Sequence, residues 1–402
     1  MDPHLPLRGL RILSAEQYGA GPFGSMLLAD LGAEVIKIEN PRERGDISRR
    51  TGPFFLGDDP AAPDSQFFQS FNRNKKSLTL DLRNAKGQAA FRRLAATCDA
   101  VMNNLRGDQP SRLGLTYEDL GPMRRSLLCV HLSAYGRDNE RAGWPGYDYL
   151  MQSEAGYLHL TGEPDGPPVR MGLSMVDYMT GTTTAMALLA GVLGAQRTGT
   201  GRDIDISLFD VALAQLTYPA TWFLNAGHVT ERMPRSAHPS AVPCQLVKTR
   251  DGWMFVMCMT PKFWTALATA AGRKDLLADE RFANAEARAR HRQALSDELD
   301  AIFSGSTSAQ WMARLGGKVP AAPVLDLPQA LGNPYVETVG MVQDVAHPAL
   351  PGLRMLASPV KVDGRRLPAR ACSDLGADTD ALLAEAGYTA ADLAALRSEG
   401  VI

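Results

Sequence analysis

Short apolar runs alternate with single helical patterns through the first half of the chain, and no other feature restricts the fold as much. Residues 10–13 (LRIL) and 35–38 (VIKI) read as strands. Between them Pro22 opens a helix carrying Met26, Leu27, Asp30 and Leu31; proline suits the first helical turn, where its missing N–H costs nothing. Leu78, Leu80 and Leu82 alternate with Thr79 and Asp81, the period of a strand. A helix follows over 86–97, with Phe91, Leu94 and Ala95 on one face, and 100–102 and 129–132 are further strands. Strands separated by single helices predict βαβ units, a parallel sheet and an α/β fold.

From Tyr178 a long helix of small and apolar residues runs to the turn 197–201 (RTGTG), and 203–208 begins another strand. The texture changes near Trp222. Two β runs, 242–248 and 253–257, are joined by 249–252 (TRDG), a good hairpin turn. Helices rich in Ala, Arg and Leu fill 263–314. This predicts a large domain over 1–224 and a smaller α+β domain over 225–325. Mixed segments occupy 326–402 and end in helices over 379–385 and 389–398. A length of 402 residues suits two or three domains, at roughly 100–200 residues each.

The formal net charge is −2, which gives no electrostatic footprint for nucleic acid or an anionic membrane. The opening residues MDPHLPLRGL carry no signal-peptide pattern. The longest apolar run, 185–195, falls short of the roughly 20 residues of a membrane span and reads as a buried helix. Cys98, Cys129, Cys244, Cys258 and Cys372 are scattered, odd in number and without CxxC spacing. They read as reduced structural thiols of a cytoplasmic protein.

Gly19-Ala20-Gly21-Pro22-Phe23-Gly24 spells GxGxxG, and Glu39 stands 20 residues after Gly19 at the end of a strand. Alone, this is the dinucleotide-binding signature. The context is imperfect, because residues 14–18 separate the apolar strand from the first glycine, where a true fingerprint turns at once. A plain strand–helix turn and a different ligand remain open beside NAD.

Asp177 precedes the long helical pattern and reads as its N-cap, a place where Asp is preferred without any catalytic role. A helix N-terminus also favours an ionised carboxylate.

An ordered set of segments resembles the class III CoA-transferase family, which includes formyl-CoA, carnitine-type and succinyl-CoA-dependent dicarboxylate transferases and shares its fold with α-methylacyl-CoA racemase. The set comprises 7–13 (LRGLRIL), 20–22 (AGP), 31–39 (LGAEVIKIE), 72–77 (NRNKKS), 146–148 (GYD), 176–181 (VDYMTG) and 198–202 (TGTGR). Later matches are His238, Val242-Pro243 and 248–252 (KTRDG). The resemblance spans essentially the whole chain.

It implies a Rossmann-like large domain that binds no NAD, to which 326–402 returns, and a homodimer interlocked like two links of a chain. The active site would lie between the large domain of one subunit and the small domain of the other. The Asp of the family's D-x-x-T/S-G segment matches Asp177 and would be a nucleophile that becomes an anhydride and then a CoA thioester. Acyl-CoA is then a substrate, with no permanent cofactor, no ATP and no metal. By motif, CoA would meet Gly19, Ala20, Leu80, Arg83, Asn104, Leu105, Arg112, Tyr147 and Asp148. The two arginines suit its phosphates, which guanidinium groups bind in forked fashion. Arg170 and His238 are candidates for the distal carboxylate of a diacid.

The chain departs from formyl-CoA transferase in having Asn40 where that enzyme has Arg, and Gly19 in place of an active-site Gln. The residues 256–260 (VMCMT) stand where it has a polyglycine lid. These departures favour succinyl-CoA-dependent transfer to acids such as glutarate, mesaconate, itaconate or malate over formate or oxalate. A racemase needs a base where this chain has Tyr147, and a phenol ionising near pH 10 serves poorly. An NAD-dependent oxidoreductase and a non-catalytic CoA-binding protein compete less well, since the first needs the imperfect GxGxxG and the second has no use for Asp177.

Overall fold

In the computed structural model, which describes residues 4–57 and 64–402, six parallel strands form the main sheet. They are β1 (Arg11–Ala15), β2 (Glu34–Glu39), β3 (Lys76–Thr79), β4 (Ala100–Asn103), β5 (Leu128–Ser133) and β6 (Asp203–Ser207). Their order is β3-β2-β1-β4-β5-β6, the doubly wound arrangement in which the chain reverses direction across the sheet between β1 and β4. Successive side chains point to opposite faces. Ile12, Val35, Met102 and Val130 pack with Leu188 and Val192 on one face. Leu13, Ile36, Val101 and Cys129 pack with Phe91 and Leu94 on the other. The helices Thr379–Glu385 and Ala390–Ser398 add Leu382 and Leu393 to that second face, so both faces are covered, as a parallel sheet requires.

The helices that matter for the site are α1 (Ala20–Asp30), α2 (Gln66–Asn72), α3 (Ala85–Ala95), α4 (Asp148–Glu154), α5 (Met175–Thr198) and α6 (Leu208–Ala214). The strand expected over 78–82 is displaced, since β3 ends at Thr79. Beyond it the amide of Asp81 donates to the carbonyl of Val401, while Leu80 turns into the core. A contact with the far end of the chain overrides the local alternation.

The chain divides into two compact units: Met1–Ala155, Gly172–Leu216 and Pro334–Ile402 form one, and Gly156–Met171 with Thr217–Asn333 the other. These bounds differ from the expected 1–224, 225–325 and 326–402. Residues 156–171 join the second unit through contacts remote in sequence. Arg232 donates to the carbonyls of Gly166 and Pro167, and the amide of Arg235 donates to Glu163. The second unit holds an antiparallel sheet of β7 (Cys244–Lys248), β8 (Trp253–Met257) and β9 (Ala321–Pro323). Trp264, Leu299, Phe303 and Trp311 pack against it from helices, giving an α+β unit. All five cysteines are buried and unpaired. Among the described residues no helix is long and apolar enough to cross a membrane.

A buried ion network ties the C-terminal ends of β1 and β2 to the segments around them. Lys75 Nζ lies 2.8 Å from Glu16 Oε1 and donates to Pro22 O and Asn72 Oδ1, each at 2.9 Å. Lys37 Nζ reaches Asp46 at 2.8 Å and the carbonyl of Glu16 at 2.8 Å. Arg49 grips Glu39 with two bonds of 2.8 and 2.7 Å, and Ser77 Oγ donates to the same carboxylate. Burial alone would raise the Glu16 carboxyl, but the pull of Lys75 and Lys37 overrides it and lowers it. Burial pushes the Lys75 ammonium down to about 8, against the pull of Glu16.

Removing one partner of such a pair leaves the other buried and uncompensated, at a cost of about 3–5 kcal/mol. Glu16→Gln and Lys75→Met are each expected to lose stability on that scale in chemical denaturation. The double variant should lose clearly less than the sum; strict additivity would show that the two charges are not coupled.

Candidate functional site

In a doubly wound sheet the crevice for ligands opens where strand order reverses, beyond the carboxyl ends of the strands. Here that point lies beyond β1 and β4, and the residues leaving them are held by side chains. The amide of Gln17 donates to Asn104 Oδ1 at 2.8 Å, and Asn104 Nδ2 returns a bond to the Gln17 carbonyl at 2.7 Å. The amide of Tyr18, a residue with φ of 69°, points at the Asp46 carboxylate at 3.3 Å. With Lys37 on the Glu16 carbonyl, side chains fix the whole turn from Glu16 to Gly19.

The glycines of GxGxxG each admit a different neighbour. A β-carbon on Gly19 would overlap Asp177 Oδ2. One on Gly21 would come within 2.8 Å of Asn104 Cβ, and one on Gly24 within 2.5 Å of the Gly181 carbonyl. Gly181 in turn allows the Ala20 carbonyl to approach, which a β-carbon there would meet at 2.6 Å. The motif therefore seats α1 against α5 and leaves room for one carboxylate. Glu39, which a dinucleotide fingerprint would turn toward a ribose, is buried against Arg49.

Asp177 is the third residue of α5 and not its N-cap; Ser174 holds that place and makes no side-chain cap bond. Only 9% of Asp177 is exposed, and its amide donates to Asp148 Oδ2 at 2.9 Å. Burial first, then the charge of Asp148, pushes its carboxyl up to about 7. The expectation of a carboxylate held ionised by the helix terminus is thus corrected. Favourable helix-end interactions amount to about 0.3–1 kcal/mol, less than the desolvation of a buried charge.

The first N–H groups of a helix lack intrahelical partners. At α1 those of Ala20 and Gly21 sit directly after Gly19, available for an anionic centre. Asp148, the first residue of α4, is 4% exposed and also accepts Gln152 Nε2 at 2.5 Å, so its carboxylate faces protein. Tyr147, beside it, is exposed.

Leu80 is enclosed by the core and Leu105 packs against it; their side chains are committed to packing, and the Leu80 amide already donates to the Glu39 carbonyl. Arg83 and Arg112 stand at the surface, paired with Glu43 at 2.8 Å and Asp108 at 3.1 Å. Exposed pairs of this kind contribute about 0–1 kcal/mol and yield readily to phosphate. Arg170 and His238 belong to the second unit. Arg170 is exposed and donates to the Met171 carbonyl. His238 Nδ1 accepts the amides of Ser240 and Ala241 at 3.2 and 3.0 Å. In the neutral ring the proton is thereby assigned to Nε2, which lies 3.3 Å from the Tyr218 hydroxyl; His238 is set up as an N–H donor.

Among the described residues one further group, Asp64, His347 and Asp374, is close enough to face a cation. The Ala349 amide occupies His347 Nδ1, so Nε2 carries the neutral ring's proton and faces Asp64 Oδ2 at 3.6 Å; a protonated nitrogen is no metal ligand. Sequence reasoning missed Glu16, Tyr18 and Gln152. Only Gln152 left a local signal, four residues after Asp148 on one helix face.

The model of "CoA-transferase family III" matches residues 7–379. The chain belongs to CoA-transferase family III. Within it, the mouse protein named succinyl-CoA:glutarate CoA-transferase is 33% identical over 87% of this chain and 79% of its own length. An Acetobacter aceti protein named acetyl-CoA:oxalate CoA-transferase is 31% identical over 90% of each. A crystal structure of a CAIB/BAIF family protein from Brucella suis superposes with a TM-score of 0.82 at 32% identity, covering 95% of this chain and 99% of that one. The chain is a class III CoA-transferase and acts on acyl-CoA.

Two outcomes follow from the geometry. Gly19→Ala is expected to fold yet lose about 100-fold in turnover, because displacement by an ångström costs that much; unchanged turnover would contradict the overlap with Asp177. The second concerns stability. The folded carboxyl of Asp177 binds its proton more tightly than the unfolded value of 3.8, so its contribution is present below that value and is lost as pH rises toward about 7. Asp177→Asn should therefore melt higher than wild type at about pH 8, with the gain shrinking toward about pH 4. A gain independent of pH would contradict the buried ionisation.

Proposed function

We propose that this enzyme moves CoA from succinyl-CoA to a second dicarboxylic acid through covalent intermediates on Asp177, working as a homodimer in the cytoplasm. The observation that carries the reading is the Asp177 carboxyl, buried and packed against Gly19, the residue that precedes α1. The ionised carboxylate attacks the thioester carbonyl, the C–S bond breaks, and CoA thiolate leaves a mixed anhydride. The thiolate attacks the aspartyl carbonyl, releasing succinate and forming the Asp177–CoA thioester. The acceptor carboxylate attacks that thioester and expels the thiolate again. Attack on the acceptor carbonyl then forms the new acyl-CoA and frees Asp177. No proton is gained or lost, and one thioester replaces another.

Donors aimed at developing negative charge commonly supply the largest part of such catalysis, and the amides of Ala20 and Gly21 fill that role here. Arg83 and Arg112 take CoA phosphates, while Asn104, Leu105 and Tyr147 flank its chain. His238 Nε2 and Arg170 meet the distal carboxylate of the diacid. The glutarate and oxalate relatives both handle dicarboxylates by name, and the second keeps a two-carbon acid among the acceptors to be tried. The homodimer is supported by the exposure of Met186 and Leu193 on α5.

A carboxyl near 7 also suits proton transfer, which favours the racemase as the second reading. That chemistry lacks its imidazole, because Tyr147 stands where the racemase has histidine.

The test is to incubate succinyl-CoA with glutarate, mesaconate, itaconate, malate and oxalate and follow new acyl-CoA by mass spectrometry. Wild type should form at least one, and Asp177→Ala should fall at least about 1000-fold, on the scale of losing a nucleophile. Equal rates in the two proteins would refute the role of Asp177. Exchange of the α-proton of a 2-methylacyl-CoA without transfer would favour the racemase.

A further inference from the structure

The N-terminus of α5 is capped from outside. Ser174 gives no side-chain cap bond, and the Asp177 amide, one of the donors a helix start leaves open, goes instead to Asp148 Oδ2 at 2.9 Å. Asp148 is itself held. It begins α4, it is buried, and its other oxygen accepts from the fully buried Gln152. The carboxylate that fixes the main chain of Asp177 thus also places a negative charge beside the Asp177 side chain.

We propose that Asp148 is a positioning residue for CoA transfer, tying down the main chain of Asp177 and, through its own charge, governing when the Asp177 carboxyl ionises. The inference rests on Asp177 as the nucleophile.

The surroundings supply little else that titrates. Tyr149 follows Asp148 on α4, and Tyr178 follows Asp177 on α5. Tyr18 precedes Gly19, and the first turn of α1 carries no ionisable side chain. α2 stacks Phe71 against Tyr178 and has no titratable residue, while α6 carries only Asp210, which is exposed. Burial and Asp148 both act on Asp177 in the same direction.

The charge has two opposed effects. It disfavours the ionised nucleophile, because two carboxylates in one dry site repel. It also favours the acylated enzyme, since forming an anhydride or thioester removes the Asp177 charge and leaves Asp148 alone. A neutral residue at 148 should therefore extend the reaction to lower pH and slow it once Asp177 is ionised.

The test follows formation of the CoA adduct on Asp177 by rapid quench and mass spectrometry. Full-length protein reacts with succinyl-CoA at a series of values from about pH 5 to about pH 9, spanning the carboxyl's titration. In Asp148→Asn, where the side-chain oxygen still accepts the Asp177 amide, the acid limb should move down by about one unit. The rate at about pH 5, relative to that variant's own plateau, then rises about tenfold over wild type. Asp148→Ser, which keeps an acceptor without charge, should shift the limb the same way and serves if the Asn variant fails to fold. Asp148→Glu, which keeps the charge on a longer arm, should leave the limb in place and lower the rate at every pH. A limb that stays put in both neutral variants overturns the proposal, because a merely structural residue lowers the rate uniformly. No adduct on wild type at any pH is a different failure: it removes Asp177 as nucleophile, and the role of Asp148 with it.

Discussion

Two buried lysines hold the turn on which the site depends. Lys75 takes the Glu16 carboxylate and Lys37 takes the Glu16 carbonyl, so the residue leaving β1 is gripped at side chain and main chain together. Asp46, the partner of Lys37, also accepts the amide of Tyr18. The desolvation of so many charges costs about as much as their attraction returns. What the network supplies is position. It carries the chain through the left-handed conformation of Tyr18 and delivers Gly19 against Asp177. Were that turn mobile, the carboxylate would have no fixed wall on one side.

That constraint explains why polar motifs recur where a parallel sheet would be expected to be apolar. The segment 34–39 (EVIKIE) is β2, and its Lys37 and Glu39 are both fully enclosed. The segment 72–77 (NRNKKS) supplies Asn72, Lys75 and Ser77 to the same network, while Arg73 pairs with Asp30 at 2.5 Å. These residues form the buried network beneath the turn that brings Gly19 against Asp177. The GxGxxG motif has the same character: its glycines serve helix packing and a close carboxylate, so pyrophosphate binding need not be invoked.

Much of this was legible in the sequence, and the limits were physical. Period and punctuation predicted α1, α3, β2, β4, β5 and the hairpin of β7 and β8 close to their observed bounds, because those elements bury their own apolar faces. β3 was misplaced because Leu80 and Leu82 pack in the core without extending the strand, and the ladder gives way to the C-terminal Val401. Residues 156–171 changed unit because Arg232 and Arg235 reach them across the sequence. The resemblance singled out Asp177 but said nothing of its environment. An acid before a helical run looks like a cap, and only the fold shows that Asp148 caps the helix from another element and raises the carboxyl it accompanies.

The proposed chemistry requires that the Asp177 carboxylate itself accept and pass on the CoA group. An acceptor acid labelled with oxygen-18 in its carboxylates tests it most directly. In the proposed chemistry the acceptor oxygen becomes the bridge of the anhydride and stays on Asp177 when CoA leaves with the acceptor acyl group. After turnover with succinyl-CoA in unlabelled water, the peptide containing Asp177 should carry oxygen-18 at that side chain and nowhere else. Turnover that leaves Asp177 unlabelled would contradict the account.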